Sequence, residues 1–437
     1  MQVPSRPESF ARLPHPMNAT TTTSTAAPVF ADATRSQWAV VAACTLIMLA
    51  EGFDLLIYSN AIPSLLMDVS MDIDKAGAGM IGSMAFAGML LGGLAAGKAV
   101  AALGLARVAL TGFVAFSAAT AAIALVNDGW QLGALRFVAG LGLGVVLPAA
   151  LSLARAHVQP RHGALAISIV MSGMPLGGML AAVVSRYIIP ASGWRPLFLA
   201  GGLLGLVLIV VVAPAVVRAG RAVMAEPAKG DWRAVFKRSS RPVLLIGVLA
   251  TLADLLTWYG ISTWLTQLMR EFDISFYGAM QLMFTLNTGA IAGSLLTASL
   301  AIRLGTRPVA IVAGLVAAFC LLAIASRTLP GWGLFAAIAL LGMSAISAQN
   351  LVNALVADAF PACHRAAAIG VTLGIGRLGA VIAPALGGQI LAAGHGPSWV
   401  LVAFAISALL GALLLLAFNR TRVRNCLDGL SANQSGA

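Results

Sequence analysis

Apolar runs of about twenty residues recur along almost the whole chain, each closed by charge, Gly or Pro before the next begins. A run of that length makes one helix across a hydrocarbon layer, and the period-two alternation of a barrel strand is absent. The runs fall at 38–62, 76–100, 107–126, 130–154, 163–187, 195–217, 243–268, 277–302, 307–327, 331–357, 365–393 and 397–418. With 59% of the 437 residues hydrophobic, 10% charged and a mean hydropathy of +0.93, there is more apolar surface than a soluble core of this size could hide. The expected fold is an all-α polytopic membrane protein with twelve transmembrane helices in two six-helix pseudo-repeats.

The polar stretch Arg218–Arg241 divides the spans six and six. The expected domains are a tail over 1–36, a six-helix bundle over 37–217, a linker over 218–242, a second bundle over 243–418 and a tail over 419–437. The first tail carries a Thr-rich tract, Thr20–Thr23, and no apolar core ahead of Ala31-Asp32-Ala33, so it reads as a disordered segment rather than a signal peptide.

A net charge of +12 would suggest nucleic acid in a soluble protein, but here the basic residues are sorted by loop. With the N-terminus inside, one side gathers twenty Lys and Arg. The other holds Lys75, Arg186, Arg195, Arg270 and Arg327. That asymmetry puts both termini in the cytoplasm and requires an even number of spans.

The two halves echo one another at a constant offset. Leu103-Gly104 with Arg107 returns as Leu304-Gly305 with Arg307, and Pro160 returns as Pro361 ahead of His364-Arg365. Equal halves in the same orientation are related by an axis along the membrane normal, which places a binding site at mid-membrane between them.

Few ionisable residues remain within the spans, and each costs about 2.5–3.5 kcal/mol at a helix centre if it faces lipid. They are Glu51, Asp54, Arg136, Asp254 and Arg377. Glu51, Asp54 and Tyr58 share one helical face, where burial and mutual repulsion favour the protonated form of one carboxylate. Either a proton site or a polar packing cluster follows. Arg136 precedes the small-residue lane Gly140, Gly144 on its own face, as a substrate contact or as a structural anchor. Arg377 sits among Gly374, Gly376 and Gly379, and its planar fork suits a carboxylate; the alternative is pairing with an acid on another helix. Asp254 lies near Trp258, Tyr259 and Trp264, which could stack on a ring or mark a membrane interface.

Neither a P-loop, a nucleophile elbow nor a metal-type cluster appears in the sequence, so no enzyme activity and no cofactor are expected. His157, His162 and His364 fall in inner loops and read as ordinary solvated histidines. Cys44, Cys320, Cys363 and Cys426 read as reduced and structural.

Three segments resemble the major facilitator superfamily, and within it the aromatic acid:proton symporter family, over nearly all of residues 38–418. They are Glu51-Gly52-Phe53-Asp54, Arg136 through Gly144, and Phe360-Pro361-Ala362-Cys363-His364-Arg365 leading to Gly374-Ile375-Gly376-Arg377-Leu378-Gly379. The fifth-span Gly173-Met174-Pro175-Leu176-Gly177-Gly178 resembles the superfamily's Gly-Pro motif. The resemblance implies import of benzoate-like or hydroxybenzoate-like acids with protons by alternating access, in a bacterial inner membrane. It implies functional roles for Glu51, Asp54, Arg365 and Arg377; with the span residues read above, the expected substrate contacts are Arg377, Arg136, Asp254, Tyr58 and Trp258 and the expected proton-coupling acids are Asp54 and Glu51. Gating would involve Arg365, Arg107, Arg303, Gly104 and Gly305. The expected partners are the aromatic acid, protons and lipid, with no nucleic acid and a monomer as the working unit. Another carrier of the superfamily, such as a drug or metabolite exporter, or a transporter-derived sensor is the alternative.

The chain departs from the superfamily pattern between the second and third spans. Gly97 is followed by Ala101, Ala102, Leu103, Gly104, Leu105 and Ala106, so the usual loop acid and most of its basic residues are missing. Ile302 stands at the acid's position in the second half.

Overall fold

A computed structural model describes residues 35–159, 162–222, 235–236, 240–360 and 362–418. The two tails, most of the linker, Pro160 and Pro361 lie outside the described residues. Thirteen α-helices are present among them: α1 Arg35–Met67, α2 Lys75–Leu103, α3 Leu105–Ala122, α4 Gly129–His157, α5 Gly163–Ser192, α6 Arg195–Ala222, α7 Arg241–Glu271, α8 Phe276–Leu304, α9 Thr306–Ala325, α10 Gly331–Ala359, α11 Ala362–Gly376, α12 Leu378–Ala392 and α13 Pro397–Leu416.

Twelve segments are long and apolar enough to cross a bilayer, because α11 and α12 run on as one. The Arg377 N–H donates to the Leu373 carbonyl at 3.0 Å and the Val381 N–H to the Arg377 carbonyl at 3.1 Å, so backbone pairing continues across the break. The sequence predicts a single uninterrupted helix over 365–393. The glycines around Arg377 stiffen the chain least there, and the turn falls among them.

Packing repeats between halves. Helix α1 lies along α5, α2 along α4, and α3 against α4 and α6; correspondingly α7 lies along α11 and α12, α8 along α10, and α9 against α10 and α13. Small residues set the closest approaches. A Cβ on Gly140 would sit 2.0 Å from the Ala85 carbonyl oxygen, and one on Gly342 would sit 2.0 Å from that of Leu286, so any larger residue would force α2–α4 or α8–α10 apart. The echoed turns are also alike: Gly104 and Gly305 close α2 and α8 at φ of 83° and 93°, a conformation that strains any residue with a Cβ.

The two halves meet through α2–α12, α5–α8 and α1–α7. At the distal end, away from the chain termini, they are zipped together. Lys75 Nζ pairs with Glu271 Oε1 at 2.7 Å, the Ser59 hydroxyl donates to the Thr263 carbonyl at 2.8 Å, and the Thr266 hydroxyl donates to Asn60 Oδ1 at 3.2 Å. A shared apolar core, with Tyr58, Ile62, Trp264, Leu265 and Met283, fills this end. At the proximal end the halves part. A Cβ on Gly97, Gly370 or Gly374 would meet nothing within 4 Å, and the proximal core of the second half draws on that half alone. The structure is a crevice closed distally and open on the side of the termini.

Candidate functional site

Asp54 of α1 is held inside the first half by side chains of two other helices. Its Oδ2 pairs with Arg136 NH1 of α4 at 3.0 Å, and its Oδ1 accepts a hydrogen bond from the Thr120 hydroxyl of α3. Both partners of the ion pair are almost fully buried, with side chains 3% and 1% exposed. The Arg136 guanidinium also lies 4.9 Å over the Tyr58 ring, whose hydroxyl donates to the Ala78 carbonyl of α2 at 2.5 Å. Asp54, Arg136, Tyr58 and Thr120 thus form one closed network joining α1 to α2, α3 and α4. An ion pair withdrawn from water needs such partners to persist, and here the buried Arg136 Nε is left without a hydrogen bond.

Glu51, one turn earlier on α1, has different surroundings. It is fully buried, and neither carboxylate oxygen has a hydrogen-bond partner. The groups within electrostatic reach of it are Asp54, Arg377 of the opposite half and Tyr259 of α7. Arg377 is half-buried and its guanidinium makes no hydrogen bond or ion pair among the described residues. Space for it comes from Gly93 of α2, where a Cβ would lie 2.9 Å from Arg377 NH1. Above the same gap the rings of Phe86 on α2 and Tyr259 on α7 meet across the seam, with centroids 4.5 Å apart and planes tilted by 55°. A lone cation, a lone acid and a pair of aromatic faces therefore converge midway along the seam between the halves.

A family model described as the Major Facilitator Superfamily matches residues 44–286 and 247–427. The chain belongs to the major facilitator superfamily. The carrier is 32% identical over 377 residues to a gentisate transporter of Corynebacterium glutamicum, covering 84% of each chain. It is 27% identical to a gallate transporter of Pseudomonas putida, covering 89% of this chain and 93% of the relative. It is also 27% identical to a benzoate transport protein of Acinetobacter baylyi, covering 88% and 90%. A crystal structure of a D-xylose-proton symporter superposes with a TM-score of 0.72 at 14% identity, over 89% of this chain and 99% of that one, a likeness of fold. The carrier is therefore a multi-pass membrane transporter and not an enzyme.

The remaining predicted site residues of the carrier lie elsewhere. Asp254 is buried against Gly411 of α13, where a Cβ would lie 3.0 Å from its Oδ1, and its Oδ2 has no partner. That position is inside the second half, on the side of α7 that packs against α13. Trp258 is buried in the distal apolar core shared by the halves. Arg107 and Arg303 are exposed at the proximal ends of α3 and α8. Arg365 caps α10 by donating from Nε to the Ala357 carbonyl at 2.7 Å, and Arg307 caps α13 through the Leu415 and Leu416 carbonyls at 2.9 and 2.6 Å.

Sequence reasoning passed over Phe86, Gly93 and Thr120, and named Tyr259 only as one aromatic among three. Phe86 and Gly93 lie one to two turns apart on the same helix, but nothing in the α2 sequence distinguishes a seam-facing aromatic from a lipid-facing one. Thr120 sits in an apolar run, where a lone hydroxyl more often satisfies its own helix.

Proposed function

We propose that the carrier imports small aromatic carboxylates together with protons by alternating access across a bacterial inner membrane, with both termini cytoplasmic. The observation that carries this reading is the unpartnered Arg377 guanidinium facing Glu51 and the Phe86–Tyr259 rings in the seam. Relatives that are a gentisate, a gallate and a benzoate transporter support the aromatic ring and the acid. With the termini inside, the proximal opening of the crevice is an inward-open state.

Charge bookkeeping gives the coupling. When the crevice closes, the seam is dehydrated, and any uncompensated charge there becomes expensive. Two arrangements leave none. In the empty carrier, ionised Glu51 neutralises Arg377 and the halves can rock back. In the loaded carrier, the substrate carboxylate takes both guanidinium N–H groups, Glu51 must then carry a proton, and the ring packs against Phe86 and Tyr259. Substrate without proton, or proton without substrate, leaves a lone charge in the seam and blocks closure. Asp54, Arg136 and Tyr58 act as the rigid wall that fixes Glu51, while Gly104, Gly305, Arg107, Arg303 and Arg365 shape the proximal hinges and caps. Coupling through the seam does not need the loop charges that the chain lacks between the second and third spans.

Uptake by proteoliposomes under an imposed pH gradient, assayed with a panel of benzoates, hydroxybenzoates and aliphatic acids, tests the reading. Gradient-dependent accumulation of aromatic acids alone is expected. Absence of gradient-driven uptake for every aromatic acid would overturn it.

A further inference from the structure

On the flank of the seam, between α5 of the first half and α8 and α10 of the second, lies an open groove of about 370 Å³. Its walls include Val183, Met280, Phe284 and Phe335, of which Val183, Phe284 and Phe335 are 43%, 38% and 38% exposed. Arg186 closes its distal end, within two turns of the end of α5 at Ser192. The neighbouring Tyr187 and the Trp332 near the start of α10 are 67% and 78% exposed, which sets this level at a membrane–water boundary, where such rings accumulate.

Arg186 is the charged wall of a mainly apolar groove whose other polar lining residues are Gln281 and Thr285. Its guanidinium lies 5.2 Å over the Tyr277 ring, its buried Nε has no hydrogen-bond partner, and it forms no ion pair among the described residues. A charge that faces hydrocarbon reaches for the headgroup level and for an anion there. The open positions of its planar fork match a phosphodiester. A free inorganic anion would leave the apolar walls uncovered, and a neutral apolar molecule would leave the guanidinium bare. The occupant that satisfies both is an amphiphilic anion with a long chain.

We infer that this groove is a binding site for an anionic phospholipid of the distal leaflet, its phosphate on Arg186 and one acyl chain along Val183, Met280, Phe284 and Phe335. Because the walls come from both halves, the site exists as described only while the distal end is closed. A lipid seated there favours the closed distal arrangement and so ties transport rate to membrane composition.

The test uses the purified full-length carrier and phosphatidylglycerol with a photoactivatable acyl chain, against phosphatidylcholine bearing the same chain. The label from phosphatidylglycerol should map to α5 and α8 peptides containing Val183, Met280 and Phe284. Arg186→Gln should lower phosphatidylglycerol labelling there about fivefold, the effect of one interfacial cation, and leave phosphatidylcholine labelling unchanged. Val183→Trp, which keeps the charge and fills the groove, should lower labelling by both lipids. Native mass spectrometry should show one fewer retained phosphatidylglycerol in either variant. Labelling confined to the basic proximal loops, or labelling of α5 and α8 that is equal in wild type and Arg186→Gln, would overturn the site.

Discussion

The interior of the first half and the seam between the halves each present a carboxylate from α1, one helical turn apart, and treat it in opposite ways. Around Asp54 every charge has a partner: Arg136 at 3.0 Å, the Thr120 hydroxyl, and Tyr58 beneath the guanidinium. Around Glu51 neither oxygen is satisfied, and the facing Arg377 is equally unpaired. A closed network is stiff and resists any change of charge, since losing one member strands another in a medium that cannot solvate it. An open pair of opposite charges waits for something to complete it. The difference teaches that one turn of helix can separate a closed charge from an open one, and under the proposed function the exchangeable proton belongs to Glu51 while Asp54 stays a fixed part of the wall.

Removing Arg136 should break the contrast most severely. Arg136→Ala leaves Asp54 buried and uncompensated, at a cost of about 3–5 kcal/mol. Thermal unfolding in detergent should show a large loss of stability, and the double variant Asp54→Asn/Arg136→Gln should recover much of it, as coupled partners do. If the single variant melts like wild type, the network is not what holds α1 to α4.

Replacing Arg377 acts on the other side of the comparison. Arg377→Ala should leave insertion and melting near wild type, because the guanidinium makes no ion pair or hydrogen bond among the described residues and Glu51 can take up a proton in its absence. Substrate affinity should nevertheless fall about 100-fold or more, the loss of a two-pronged charge-assisted contact. Equilibrium binding of benzoate separates the two readouts. A destabilised protein with intact binding would assign Arg377 to structure instead.

How much of this contrast could be read from the sequence follows from what each part depends on. The twelve spans were legible because hydrocarbon thickness dictates length and composition, and the observed helices fall within a few residues of the apolar runs. Gly104 and Gly305 were legible as an echo, and the structure supplies the reason in their positive φ. Glu51, Asp54, Arg136 and Arg377 stood out because ionisable residues are rare in spans. Their partners did not stand out: that Arg136 faces Asp54 while Arg377 faces Glu51 depends on the rotation of three spans about their axes, which apolar periodicity fixes poorly when every face is apolar. Asp254 stood out for the same reason of rarity and yet lies against Gly411, apart from the seam.

Glu51→Gln sharpens the comparison by fixing the acid in the equivalent of its protonated form. The loaded carrier remains neutral in the seam and can shuttle, so exchange of labelled for unlabelled substrate should persist. The empty carrier keeps Arg377 bare, cannot close, and should lose pH-driven accumulation. Asp54→Asn should not reproduce this split. If both activities vanish together in Glu51→Gln, the proton site lies elsewhere.

The smallest effect is expected where the same pairing recurs in water. Asp68, just beyond α1, accepts from the Trp194 indole N–H at 2.9 Å and pairs with Arg195 NH1 at 3.0 Å, much as Asp54 pairs with Arg136. The Ser70 hydroxyl first, and then Trp194, hold the Asp68 carboxyl down to about 2. The Arg195 side chain is 37% exposed, so solvent screens the pair, and Asp68→Asn should cost no more than about 1 kcal/mol. A carboxyl whose folded value is depressed contributes its stability above the unfolded value of about 3.9 and loses it as pH falls toward the folded one. The melting difference between wild type and Asp68→Asn should therefore be constant from neutral pH down to about 4 and shrink below it. A loss at pH 7 as large as that of Arg136→Ala would show that burial is not what separates the two Asp–Arg pairs.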